Sequence, residues 1–374
     1  MAIRTAALFA AAALSAALTH PAAAQAPLVV GAPLALTGPY AFVGVAMQKG
    51  VTLGVEEINK KGGINGAKIN LIVEDSASDK AQTVTLVNKM IARDNVLAII
   101  GPATTIEVAA VGPLVNEKEV PLLTNSPSAD VRKFGKWSFN VTAAPADIML
   151  NLAKYGVEKM KIKRVAMVAA RENETFQTQK NVVRDYWKAN GVTIVSDDSL
   201  AATDTDFTAL GTKLADANID ALSFYIPPEQ AANLVMQARQ AGMSDKVKFI
   251  APPGIVSEAY IKTGGAMTEG TVLVADYFPD NPSDFNKAFV AAYRAKYGQP
   301  PDNWAAVGYT AALIMEKSIR EGGANRAKLR DAMEQIKDMP TVLGNGKFTI
   351  GQNRAPNYGA AILMVKGGKF VVAD

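Results

Sequence analysis

The chain has 374 residues, with 39 Lys and Arg against 35 Asp and Glu and a formal net charge of +4. This length predicts two domains, and the small, mixed charge argues against a nucleic-acid partner. With no Cys and a single His, His20, the sequence excludes disulfides and, after residue 20, Cys nucleophiles, His general bases and zinc sites of the usual type.

The first 24 residues, MAIRTAALFAAAALSAALTHPAAA, are typical of a cleaved secretory signal peptide. They combine one early cation, Arg4, with an apolar stretch from Ala6 to Leu18 and a small-residue end at 22–24. The apolar stretch is shorter than the ~20 residues that a membrane-spanning helix needs, and no Cys follows that could carry a lipid anchor. We therefore expect cleavage after Ala24 and a periplasmic protein that is not a lipoprotein.

The segment from 28 to 124 alternates strand-like apolar runs with helical patterns. The strand-like runs are LVVGAPLAL (28–36), INLIVED (69–75), VLAIIGP (96–102) and VPLLT (120–124). The helical patterns space their apolar residues three or four positions apart, as in Met47, Val51, Val55 and Ile58. This β-α-β-α order predicts a parallel sheet covered by helices on both faces.

A second unit of the same kind follows the stretch WSFNVTAAPAD (137–147). Its strand-like runs are RVAMVAA (164–170), VTIVSDD (192–198), ALSFYI (221–226) and VKFIAPPG (247–254). A Pro/Asp-rich connector at 275–284 then leads to two longer helices, at 284–297 and 303–321, and to a β-rich tail. The predicted fold class is therefore α/β, with two similar units of about five strands each.

Candidate binding residues follow the strands, because ligands of open α/β sheets sit beyond the carboxyl ends of the strands. In the first unit these positions carry hydroxyls at helix starts, where free N–H groups attract anions: Thr104, Thr105, Ser126 and Ser128. Taken alone, TNSPS at 124–128 also fits an ordinary turn with helix-capping residues. Aromatic rings occupy comparable positions at Tyr40, Phe42, Phe176 and Tyr225. The combination predicts a small ligand with a carboxylate at one end and an apolar body.

Support for an enzyme is weak. Glu172, Glu174 and Glu229 could act as general acids or bases, but no partner spacing supports such chemistry. No glycine-rich phosphate loop is found, because GGING at 62–66 ends a helix instead of opening one. We therefore expect a binding protein without catalysis, cofactor or metal.

Several stretches together resemble the leucine/isoleucine/valine-type periplasmic binding proteins of ABC importers. They are VGAPLALTGPYAFVG (30–44), EEINKKGGINGAKINLIVEDSASDKAQTV (56–84), IIGPATT (99–105), VPLLTNSPSAD (120–130), ALSFYIPPEQAANLVMQARQAGM (221–243) and YRAKYGQPPDNWAAVGYTAALIM (293–315). The resemblance covers Leu28 to Asp374. It implies a type I periplasmic-binding fold, in which two Rossmann-like lobes with parallel sheets are joined by three hinge crossovers. The expected lobes are 28–142 plus 277–342 (N-terminal) and 143–276 plus 343–374 (C-terminal).

The resemblance also implies roles for individual residues. The ligand's carboxylate would be held by a backbone group near Ser126 and by the Ser128 hydroxyl, with Thr104 and Thr105 adding further contacts. Apart from the resemblance, the aromatic residues themselves are candidates for a pocket wall that would suit a flat apolar body: Tyr40, Phe42, Phe176, Tyr225 and Trp304.

Two positions depart from the amino-acid-binding members of the family. Pro253 stands where those members place the acidic residue that pairs with the ligand's ammonium group, and Val43 stands where some of them place a tyrosine. We therefore expect Pro253 to line a pocket for an aromatic acid or a 2-oxo acid, with a branched-chain or other hydrophobic amino acid as the open alternative.

The resemblance implies a monomeric solute-binding component of an ABC importer, with a permease and an ATPase as partners. The alternative is a periplasmic ligand carrier that serves a sensory receptor instead of a transporter.

Overall fold

The computed structural model describes residues 25–126, 130–201, 204–351, 354 and 356–373. The predicted signal peptide and Ser128 lie outside these residues. Within the described ranges, no helix is long and apolar enough to cross a membrane.

The first sheet is parallel and has five strands in the order β2-β1-β3-β4-β5. Its strands are β1 Leu28–Leu34, β2 Ile69–Asp75, β3 Ala98–Ile100, β4 Leu122–Thr124 and β5 Ser138–Asn140. The helices between the first four strands are α1 Ala41–Lys60, α2 Lys80–Ala92 and α3 Thr105–Glu117. β1, β3 and β4 are almost wholly apolar and buried because helices cover both faces of the sheet, as the sequence predicted.

The second sheet has seven strands in the order β15-β14-β10-β9-β8-β6-β7. Its parallel strands are β6 Arg164–Ala170, β7 Thr193–Leu200, β8 Ala221–Tyr225, β9 Lys248–Ala251 and β10 Val272–Ala275. Two antiparallel strands from the C-terminal tail complete one edge, β14 Ala361–Lys366 and β15 Lys369–Val372. The associated helices are α4 Pro145–Glu158, α5 Glu174–Ala189, α6 Thr208–Asp216, α7 Pro228–Gln240 and α8 Glu258–Gly264.

Three further helices precede the C-terminal tail. They are α9 Asp284–Tyr297, α10 Asn303–Gly322 and α11 Arg326–Glu334. α9 and α10 confirm the two predicted longer helices, whereas α11 was not predicted. α10 packs along α1, where glycines allow backbone contact, so this late part of the chain returns to the first sheet. A small antiparallel sheet follows, built from β11 Met339–Pro340, β12 Lys347–Ile350 and β13 Pro356–Asn357.

Hydrogen bonds tie together the segments that lead from one sheet to the other. The Gly344 amide donates to the backbone oxygen of Asp276 at 2.6 Å, and the Ala143 amide donates to the Tyr358 hydroxyl at 3.0 Å. Near the end of the chain, the backbone oxygen of Arg354 accepts a hydrogen bond from Asn140 of β5 at 2.9 Å. Residue 354 therefore lies at the edge of the first sheet, and the chain enters the second sheet only at Ala361.

Candidate functional site

The ends of β3 and β4 bring two predicted binding hydroxyls together. Thr105, the first residue of α3, has its Oγ1 2.9 Å from the Oγ of Ser126, which follows β4. The two strands are neighbours in a parallel sheet, so their carboxyl ends lie at the same edge. A pair of hydroxyls at the N-terminus of a 13-residue helix is suited to an anion, because unpaired first-turn N–H groups and the helix dipole favour negative charge.

The neighbouring hydroxyl, that of Thr104, already has a partner for its proton. It donates to Oε2 of Glu107 at 2.6 Å and accepts from the Glu107 amide at 3.3 Å, which makes it the N-cap of α3. A hydroxyl has one proton to donate. The Thr104 hydroxyl is therefore not free to donate to a ligand in this arrangement, and the sequence-based expectation for this residue is better met by Thr105.

Asn125 lies between the two hydroxyl-bearing strand ends and is 1% exposed. Its backbone amide donates to the Pro102 oxygen at 3.4 Å, but neither atom of its side-chain amide has a hydrogen-bond partner among the described residues. A buried amide without partners costs free energy, so a ligand that supplied a partner here would recover that cost.

Two exposed aromatic rings lie where the loop enters α1, that of Tyr40 (45% exposed) just before the helix and that of Phe42 (65% exposed) in its first turn. Asp75, at the end of β2, holds the start of this loop by accepting from the Leu36 amide, the Thr37 amide and the Thr37 hydroxyl. Burial raises the pKa of Asp75, but these bonds and one from the Ala77 amide outweigh it and leave the pKa below its ordinary value. The start of the loop is thus anchored, and both aromatic rings remain accessible.

The second sheet places Phe176 and Pro253 near each other. Phe176 lies in the first turn of α5 and is half-buried, and its ring reaches within 3.8 Å of the position that a Cβ on Gly254 would occupy. Pro253, the residue before Gly254, is also half-buried. The two predicted residues therefore belong to one surface.

Tyr225 does not share that surface. Its ring is fully buried in the hydrophobic core and its hydroxyl accepts from Ser223 at 3.0 Å, while burial raises its pKa. Tyr225 is the last residue of β8, and successive side chains of a strand point to opposite faces. Its side chain therefore packs beneath a covering layer of helices, and we correct the sequence-based expectation that it lines a pocket.

The other candidates occupy varied positions. Trp304 is half-buried near the start of α10, and Glu172, Glu174 and Glu229 are exposed. No group of three or more His, Cys, Asp or Glu side chains within the described ranges is arranged to hold a metal ion. Sequence reasoning missed Glu107 and placed Asn125 in the candidate stretch 124–128 without giving its side chain a role. The spacing Thr104-x-x-Glu107 is that of a capping box and could have revealed Glu107, whereas nothing in the sequence shows that the Asn125 amide is unpaired.

Comparison with known proteins gives a consistent result. The family described as "Periplasmic binding protein" matches residues 27–369. The leucine-, isoleucine-, valine-, threonine-, and alanine-binding protein of Pseudomonas aeruginosa is 27% identical over 306 residues, which cover 80% of this chain and 79% of that protein. A Leu/Ile/Val-binding protein of Rhizobium johnstonii is 28% identical over 341 residues, covering 88% and 89%.

Solved structures agree with the sequence relatives. A branched-chain amino acid transporter substrate binding protein from Streptococcus pneumoniae, in complex with isoleucine, has a TM-score of 0.78 at 25% identity and covers 93% of this chain and 99% of its own. A solute binding protein of an ABC transporter from Rhodopseudomonas palustris, in complex with 3,4-dihydroxybenzoic acid, has a TM-score of 0.77 at 24% identity and covers 92% and 95%. The resemblance inferred from the sequence is confirmed: the chain belongs to the periplasmic binding protein family.

Proposed function

We propose that this protein is the solute-binding component of an ABC importer, acting in the periplasm as a monomer that delivers a small carboxylate to a permease and its ATPase. The observation that carries the proposal is the hydroxyl pair of Thr105 and Ser126 at the N-terminus of α3. The family supports the role, since its named relatives are binding proteins of transporters. On this proposal the protein acts by binding alone.

The carboxylate site would combine several donors. One hydroxyl of the Thr105–Ser126 pair donates to the other, which leaves one proton for a ligand oxygen. The Asn125 amide and the first-turn N–H groups of α3 add donors, and Ser128 remains a predicted contact. Each charge-assisted hydrogen bond contributes roughly 1.5–3 kcal/mol net. Three or four of them supply much of the ~8 kcal/mol that micromolar affinity requires.

The other end of the ligand would meet an apolar, aromatic surface. Tyr40 and Phe42 are exposed beside the first sheet. Beside the second sheet, Phe176 lies close to Gly254, the residue that follows Pro253. Pro253 has no side-chain acceptor for an ammonium group, and an unpaired buried charge is costly. This favours an aromatic or 2-oxo acid over an α-amino acid, and neighbours of this fold hold 3,4-dihydroxybenzoate and benzoate. The relatives named for leucine, isoleucine and valine support the amino-acid alternative.

Closure of two lobes would bring these surfaces together. The proposed lobes are 28–142 plus 277–342 and 143–276 plus 343–374, with crossovers near 142–145, 275–278 and 341–345. The packing of α10 on α1 and the addition of β14 and β15 to the second sheet support this division, whereas the hydrogen bond from Asn140 of β5 to the backbone oxygen of Arg354 places the stretch around residue 354 with the first sheet. Three thin connections would permit a hinge motion.

Isothermal titration tests the proposal on the purified protein. Benzoate and 3,4-dihydroxybenzoate should bind with micromolar or tighter affinity, the 2-oxo acid of leucine should bind comparably, and leucine and valine should bind much more weakly. The double variant Thr105→Val with Ser126→Ala should lose binding. Tight binding of leucine without the aromatic acids would show that the inference from Pro253 is wrong. Failure of every carboxylate to bind, or no compaction of the ligand complex in small-angle X-ray scattering, would contradict the proposed role.

A further inference from the structure

Glu107 has a fully buried carboxylate that connects three segments near the carboxyl ends of the first sheet's strands. These segments are the residue after β2, the helix α2 and the start of α3. Its Oε1 accepts from the Ser76 hydroxyl at 2.5 Å, and its Oε2 accepts from the Thr104 hydroxyl at 2.6 Å. The Thr83 hydroxyl of α2 lies 3.0 Å from Oε1 of Glu107 and 2.7 Å from the backbone oxygen of Asp79. Its single proton is therefore divided between these two acceptors. All these partners are uncharged, so the arrangement is a network of hydroxyls around one acid.

Two arms of this network, those of Ser76 and Thr104, fix the start of α3, whereas the Thr83 contact lies on α2. Ser76 follows β2 and its amide donates to the Leu34 oxygen of β1 at 2.9 Å, so one arm of the network is anchored in the sheet. The other arm holds the Thr104 side chain, which caps α3 through the Glu107 amide. Thr105 is the next residue, and its Oγ1 meets Ser126. The position of the Thr105–Ser126 pair thus depends on the contact between Glu107 and Thr104, the residue before Thr105.

The same contact sets the direction of a proton. The Thr104 hydroxyl donates its proton to Glu107, so this proton is not available to the neighbouring Thr105–Ser126 pair. Hydrogen-bond donors that are held in place before binding lower the ordering cost of capturing a ligand.

We propose that Glu107 is a positioning residue for anion capture: through Thr104 it fixes the first turn of α3, so that the Thr105–Ser126 pair is preorganised for a ligand carboxylate. This inference rests on the proposed function, because it takes the ligand's carboxylate to bind at that pair. Glu107 itself does not contact the ligand.

The sign of one substitution separates positioning from simple charge. A carboxylate near the start of α3 repels an anion, so removing its charge in Glu107→Gln would tighten binding if charge were its main effect. A glutamine of the same size has only one acceptor oxygen, so on the other side its amide nitrogen would donate and could not accept the proton of a hydroxyl such as that of Thr104. On the positioning proposal, Glu107→Gln therefore weakens binding.

Isothermal titration with benzoate tests the proposal in four single variants and one double variant. Glu107→Gln and Thr104→Val should each weaken benzoate binding about tenfold or more, as expected for a site built from charge-assisted hydrogen bonds. The double variant should be no weaker than either single variant, because both break the same contact. Thr104→Ser, which keeps the hydroxyl, should restore affinity.

Thr83→Val is the matched control. It removes another hydroxyl contact of Glu107, on α2 and away from the hydroxyl pair, so it should lower the melting temperature while leaving benzoate affinity unchanged. Tighter binding by Glu107→Gln, additive losses in the double variant, or an equal loss of affinity in Thr83→Val would each overturn the proposal.

A measurement without ligand separates this inference from the proposed function. Hydrogen–deuterium exchange of the peptide spanning 103–108 should accelerate in Glu107→Gln and Thr104→Val but not in Thr83→Val. If wild-type protein binds no benzoate, the proposed ligand class fails while the exchange data still report on positioning. Unchanged exchange in Glu107→Gln would overturn the positioning role directly.

Discussion

At the scale of single residues, we propose that Asn125 contributes to ligand binding at a cost in stability. Its side-chain amide is buried and has no partner on either atom among the described residues. An unpaired buried polar group costs about 1–3 kcal/mol, a penalty that a ligand would relieve by supplying partners for this amide.

We predict that Asn125→Leu raises the free energy of unfolding by about 1–3 kcal/mol, because a side chain of similar size replaces an unpaired amide. The same substitution should weaken benzoate binding. Urea denaturation and isothermal titration measure the two effects. Thr124→Val is the control, since the Thr124 hydroxyl donates to the Pro102 oxygen at 2.7 Å and its loss should destabilise the protein. A destabilised Asn125→Leu protein with unchanged affinity would show that the ligand does not use this amide.

At the scale of elements, the contact of α1 with α10 depends on glycines. A Cβ on Gly50 would lie 2.0 Å from the Ala305 backbone oxygen, and a Cβ on Gly308 would lie 2.3 Å from that of Met47. Neither glycine leaves room for a methyl group, so the two helices pack backbone to backbone. This packing attaches the segment 303–322 to the first sheet, far from it in sequence.

Gly50→Ala should therefore destabilise the protein by about 1–3 kcal/mol, the usual cost of overpacking. Intrinsic helix propensity alone predicts the opposite sign, a gain of about 1 kcal/mol, so the result distinguishes the two effects. Thermal and urea unfolding provide the measurement. Gly254→Ala, whose Cβ would make an ordinary 3.8 Å contact with Phe176, should change stability little. A more stable Gly50→Ala protein would be incompatible with such close helices.

At the scale of the whole molecule, Asp276 lies where the chain leaves the second sheet. Its backbone oxygen accepts from Gly344, and its side-chain Oδ1 is buried without a partner among the described residues. Burial raises the pKa of Asp276 to about 7. Its titratable neighbour is Tyr358, whose pKa is raised first by burial and second by the charge of Asp276. In the unfolded chain the pKa of an aspartate such as Asp276 is about 3.9.

The sign of the pH effect follows from linkage. Between the two pKa values the folded protein holds a proton on Asp276 that the unfolded chain has lost, so stability falls as pH rises from about 4 to about 7. Above that range the loss is complete and amounts to a few kcal/mol, since each pKa unit corresponds to about 1.4 kcal/mol. Asp276→Asn should remove this loss and be more stable than wild type at pH 8 but not at pH 4. Denaturation curves at both pH values measure it, and parallel pH dependences of the two proteins would contradict the assignment.

Much of the architecture follows from local patterns in the sequence. Alternating apolar runs and helical spacings predicted two α/β units, because strand and helix periodicity is a property of neighbouring residues. The rule that ligands sit beyond strand ends singled out Thr105 and Ser126, and the structure brings their hydroxyls within 2.9 Å because adjacent parallel strands end at one edge. The family resemblance rested on the order of several such stretches.

The tertiary structure alone decided how these side chains are buried and paired. Tyr225 is the last residue of β8, a position like those from which ligand contacts were predicted. Its ring nevertheless packs in the core, because side chains of a strand alternate between two faces and both faces of this sheet are covered. The Thr104 proton goes to Glu107, and the Asn125 amide has no partner, because both outcomes depend on atoms that distant segments place around them. Sequence periodicity predicts which face of a helix or strand is buried, whereas the hydrogen-bond partners of a side chain depend on how the helices and strands pack.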